Sequence, residues 1–151
     1  TELIATTLWG RIGLQDAFRT ESVISDFRRI RWACEPLDWV RFNEEHDRCF
    51  RFLEQQVNRS TAKHIVVVTH HVPSFELVAP EFKGSPLNGA FAVELGNYIA
   101  ASPIEYWIYG HSHRNIDKVI GNTRCVSNQL GYVFGNEHSS FNTSAYIEII
   151  D

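Results

Sequence analysis

The run Ile65-Val66-Val67-Val68-Thr69 constrains the fold of this chain more than any other segment. Consecutive β-branched residues are stiff at χ1 and favour a strand. A strand without polar alternation is buried on both faces, as in the interior of a parallel sheet. Parallel neighbours need a crossover of a dozen or more residues. One is available, because Glu105-Tyr106-Trp107-Ile108-Tyr109 reads as a second strand halted by Gly110. Between the two lie a loop with Pro80, Gly84 and Pro86 and a helix expected from Asn88 to about Ala101. Strand, loop, helix and strand make a βαβ unit with parallel pairing.

Other segments extend this frame. Leu3 to Leu8 reads as another buried strand. Gly10 and Gly13 open a stretch expected to be irregular as far as Pro36, apart from a helical turn at Ser25 to Ile30. From Leu37 to Val57, the residues Trp39, Phe42, His46, Cys49, Phe50, Leu53 and Val57 recur at three- and four-residue steps, which predicts an amphipathic helix. Ile116 to Ile120 and Thr123 to Ser127 flank Gly121-Asn122 as a hairpin, and Ala145 to Ile150 reads as a last strand. The expected class is α/β, with residues 1–151 in a single domain.

Composition narrows the function. Fourteen Lys and Arg against eighteen Asp and Glu give a net charge of −4, which offers no basic footprint for nucleic acid. No uninterrupted apolar run is long enough to span a membrane. Cys34, Cys49 and Cys125 are an odd, scattered set without a Cys-x-x-Cys pair, so a disulfide scaffold is excluded and a reducing, cytoplasmic location is expected. There is no Gly-x-Ser-x-Gly elbow of a serine hydrolase and no phosphate-binding P-loop. The chain opens on Thr1 and contains no methionine, which suggests a portion of a longer protein.

Both strands of the βαβ unit end in histidines: His70 and His71 after the first, His111 and His113 after the second. Parallel strands bring their carboxyl ends to one edge, where open α/β sheets place their binding crevice. In Gly110-His111-Ser112-His113 the imidazoles are two residues apart, so an extended segment points both to one side, with Cα atoms roughly 6.6 Å apart. Imidazole suits zinc, iron and related ions. Taken singly, a histidine is more often structural than a ligand. His46 on the long helix, His64 before the strand and His138 in a polar loop fit that plainer role.

At these residues the sequence resembles the C-terminal half of a bacterial-type, calcineurin-like metallophosphoesterase. The motifs that carry the resemblance are Val-Val-Thr-His70-His71-Val-Pro73 and Gly110-His111-Ser112-His113. It extends more loosely to Ile4 through Trp9 and to Asn128 through Tyr132, and so covers about residues 3–150. The family's Asp-x-His, Gly-Asp-x-x-Asp and Gly-Asn-His motifs do not occur. The resemblance implies an αββα four-layer sandwich of which this chain forms part, including the parallel βαβ unit and the C-terminal hairpin. It implies a dinuclear site for Mn, Fe or Zn that hydrolyses phosphomono- or phosphodiesters by attack of a metal-bound water.

Within that site the resemblance makes His70 and His111 ligands of one metal and His113 of the other. It assigns His71 no metal, which leaves it a phosphate or outer-sphere contact, while Asn128 and Arg114 are weaker candidates to line the pocket. The chain alone is expected to bind metal weakly or partially and to be inactive. Its expected partners are the missing N-terminal half, a phosphoester substrate, and other copies of itself through exposed apolar surface. The alternative is a non-catalytic α/β domain that binds metal through the same histidines or serves regulation.

Overall fold

A computed structural model describes residues 1–150. In chain order the elements are strand β1 (Glu2–Thr6), helices α1 (Ala17–Val23) and α2 (Asp26–Arg29), strands β2 (Arg31–Trp32) and β3 (Glu35–Pro36), and helix α3 (Trp39–Arg59). Strand β4 (Ile65–Thr69), helix α4 (Gly96–Ala101) and strands β5 (Tyr106–Ile108), β6 (Asp117–Ile120) and β7 (Thr123–Val126) follow. The protein is mixed α/β. Its main sheet has the order β1-β4-β5-β7-β6, in which β1, β4, β5 and β7 are parallel neighbours and β6 pairs antiparallel to β7. β2 and β3 form a separate antiparallel ribbon.

The valine run lies where a doubly buried strand belongs. β4 sits between β1 and β5, and Ile65, Val66 and Val67 are buried. α3 packs on β1, with Phe42, His46, Leu53 and Val57 turned inward. Its start is fixed by Asp38, whose side chain accepts the Arg41 backbone N–H at 2.8 Å. The principal core joins α3, α4 and the sheet around Trp107, Ile99 and Leu53, while Ile12, Ala17, Phe27, Leu37 and Phe42 form a second cluster under the α1–α2 segment.

Three expectations fail. The stretch between Gly10 and Pro36 contains a 3-10 turn at Leu14–Asp16 and the helix α1. Exposed Leu14 and Phe18 on its outer side blur the apolar period that would have marked it. The helix expected from Asn88 begins only at Gly96. Asn88 to Ala90 is a 3-10 turn, and the following residues pair laterally: Val72 N–H donates to Phe91 O (3.1 Å), Val93 N–H to Val72 O (3.0 Å) and Arg11 N–H to Ala92 O (3.3 Å). Backbone groups committed sideways cannot close helical turns. Residues 145–150 join no strand ladder; they are held by Tyr106 Oη, which donates to Glu148 O at 3.2 Å.

Candidate functional site

The carboxyl ends of β1, β4, β5 and β7 share one edge of the sheet. The chain leaves β1 through Leu8 and Trp9, both with positive φ (67° and 57°). This turn is pinned from α3, where buried His46 donates its Nδ1–H to Leu8 O at 3.0 Å. It delivers the Trp9 ring onto His71, with centroids 5.6 Å apart and planes 22° apart. Gly10 is required at the same place, because a Cβ there would fall 2.3 Å from Gly89 O.

His70, His71 and His111 come together. Ring centroids are 5.1 Å apart for His70–His71, 4.6 Å for His70–His111 and 4.4 Å for His71–His111. Phe91 stacks on the His111 ring at 5.0 Å and Phe42 meets His71 edge-on at 6.0 Å. His70 is exposed, whereas His71 is buried. The His71 backbone N–H donates to Thr7 O at 3.2 Å, and its ring Nδ1–H reaches the same oxygen at a long 3.4 Å. A carbonyl only accepts, so the proton is on Nδ1 and Nε2 carries the lone pair. That buried Nε2 has no hydrogen-bond partner.

Burial sets the charge of the cluster. Desolvation, followed by the proximity of His111 and His70, pushes the His71 pKa down to about 3. Desolvation, followed by His70, pushes His111 down to about 4. His70 is lowered as well, chiefly by desolvation. Asp26 on α2 opposes these shifts at His70 and His111 through its charge, and nothing in the sequence had singled it out. The cluster is therefore neutral at pH 7, with imidazole lone pairs free of protons.

His113 is held differently. His111 and His113 both have positive φ (68° and 53°), so the segment is not the extended one that the spacing argument assumed. The His113 ring packs edge-on against Tyr132 at 4.6 Å, and its Nδ1–H donates to Glu137 at 2.9 Å. It still acts on His70 and His111 through space. Arg114 is paired with Glu81. The Asn128 amide is occupied with the Asn142 backbone, donating to its carbonyl (2.8 Å) and accepting from its N–H (2.9 Å).

His64 pairs with Glu105, and the unbonded Nδ1 of His138 is buried in the C-terminal segment. Cys34, Cys49 and Cys125 are free thiols. Among the described residues no group of three or more His, Cys, Asp or Glu side chains is arranged to hold a metal ion, and no helix is long and apolar enough to cross a membrane. A groove of about 730 Å³, lined by Arg11, Phe75, Lys83, Ser85 and Glu94 among others, contains none of the four strand-end histidines.

No protein-family profile matches the chain, and no solved structure matches it. It is similar to the uncharacterized protein L509 of Acanthamoeba polyphaga mimivirus, with 27% identity over 170 aligned positions covering 97% of this chain and 55% of that protein. The chain thus spans about half the length of the curated relative it matches.

Proposed function

We propose that the chain is the histidine-bearing part of a dinuclear metal-dependent phosphoesterase, in keeping with its resemblance to the C-terminal half of calcineurin-like metallophosphoesterases. One observation carries the reading. Histidines from the ends of two neighbouring parallel strands, in the two motifs that prompted the resemblance, gather with ring centroids 4.4–5.1 Å apart. The donor chemistry fits divalent ions. His71 presents a buried, unpartnered Nε2 behind a ring whose Nδ1–H is turned to a backbone carbonyl, the arrangement that orients metal-ligating imidazoles. His71 accordingly joins His70, His111 and His113 in the proposed donor set.

The Lewis acidity for in-line displacement at phosphorus comes from the divalent cations when bound. The chain's own residues perform simpler tasks. The imidazoles of His71 and His111, kept neutral by burial, offer lone pairs without first losing protons. Trp9 and Phe91 cover His71 and His111 and exclude water from their ring faces. Carboxylate ligands and the proton donor belong, on this reading, to motifs outside the 151 residues, which would also complete the layered sandwich. Zinc titration of the chain at pH 7.5 tests the proposal: weak binding, lost in His111→Ala and kept in His138→Ala, is expected, without phosphodiester hydrolysis. Zinc binding indifferent to His111→Ala would overturn it.

A further inference from the structure

We propose that Glu137 is a positioning residue that fixes the tautomer and orientation of His113, so that the C-terminal segment completes the histidine site. The residues that carry this lie outside both histidine motifs. Glu137 Oε2 accepts the His113 Nδ1–H at 2.9 Å and the Tyr132 backbone N–H at 2.6 Å. A carboxylate oxygen only accepts, so His113 holds a proton on Nδ1, and in the neutral ring the lone pair is then on Nε2.

The surroundings are built for this contact. Gly131 has φ +63°, and a Cβ there would lie 2.6 Å from Glu137 Cβ and 3.2 Å from His113 Cβ. A residue without a side chain leaves the space in which the carboxylate meets the ring. The His113 backbone N–H donates to Gln129 Oε1 at 2.8 Å, and Gln129 N–H donates to Asn115 Oδ1 at 2.5 Å. Asn115 Nδ2 in turn bonds Gln129 O and Ser140 Oγ, both at 3.0 Å. The loop bearing Glu137 is thereby tied on both sides of the His113 turn.

The role of His113 rests on the metal reading above; the way the ring is held does not. The deciding experiment is imidazole nitrogen NMR of the metal-free chain at pH 8. In the wild type, His113 is expected as the Nδ1–H tautomer. Glu137→Ala, with an otherwise folded spectrum, should shift it to a mixture dominated by Nε2–H. Glu137→Gln, which retains an acceptor oxygen of the same reach, should restore Nδ1–H. An unchanged tautomer in Glu137→Ala, or no rescue in Glu137→Gln, overturns the assignment. Zinc titration separates the two claims: Glu137→Ala should weaken binding by at least about 10-fold, as loss of an outer carboxylate does. Zinc binding equal in wild type and His113→Ala overturns the metal role of His113 and leaves the NMR result to decide on Glu137.

Discussion

The imidazoles of His71 and His111 face one another with centroids 4.4 Å apart and planes tilted by 37°, although they lie 40 positions apart in the chain. Two imidazoles at that separation cannot both carry charge without mutual repulsion, and burial already disfavours the charged form of each.

Stability should therefore depend on pH in a defined direction. Folded His71 and His111 take up protons only near pH 3 and pH 4, whereas unfolded imidazole does so near 6.5. Between those values the unfolded chain binds more protons. The contribution is complete above about pH 6.5 and is lost as pH falls, at a limiting slope of ~1.4 kcal/mol per pH unit for each histidine. Urea midpoints from pH 7.5 to 4.5 measure it. His71→Gln should flatten the slope, and identical slopes in both proteins would contradict the argument.

Thr69 links the sheet to the site. Its hydroxyl accepts the Trp107 indole N–H at 3.0 Å and donates to His71 O at 2.9 Å, all of it buried. Thr69→Val keeps the shape but removes both bonds and strands a buried donor and acceptor. A loss of roughly 1–3 kcal/mol is expected from urea unfolding. A change below about 0.5 kcal/mol would show that the bonds are replaced.

Two glycines separate backbone strain from contact. Gly121 (φ +61°) turns the β6–β7 hairpin against α4, where a Cβ would meet Ala100 Cα at 2.5 Å. Gly84 (φ +77°) has nothing within 4 Å of such a Cβ. Gly84→Ala should cost only the left-handed penalty of about 1–2 kcal/mol, and Gly121→Ala distinctly more. Equal losses by thermal or urea unfolding would remove α4 as the cause.

How far the sequence could be read follows from where its information is local. The valine run, the stripe on α3 and Gly121-Asn122 announced their elements because strand burial, helix amphipathicity and tight turns depend on near neighbours. The convergence of His70 with His111 was legible too, since parallel pairing alone brings β4 and β5 to one edge. The separate anchoring of His113 was not, because it depends on Glu137, which is 24 residues away in an irregular segment. Nor was the burial of His71, which requires Trp9 and Phe42 from two other elements. The segment from Phe91 to Leu95 has helical composition, yet its backbone is claimed by Val72 and Arg11, and no local pattern records such lateral pairing.

The crossing of Gly10 with Gly89 has an evolutionary consequence. Each backbone occupies the space where the other residue's Cβ would be, with Gly89 O 2.3 Å from a Cβ on residue 10 and Arg11 O 2.6 Å from one on residue 89. Trp9, which covers His71, and Phe91, which covers His111, ride on the two strands of that crossing. The two loops are thus packed as one unit. A lengthening of either would lift both aromatic covers together, so variation in related chains should spare this junction and collect in the 80–86 stretch instead.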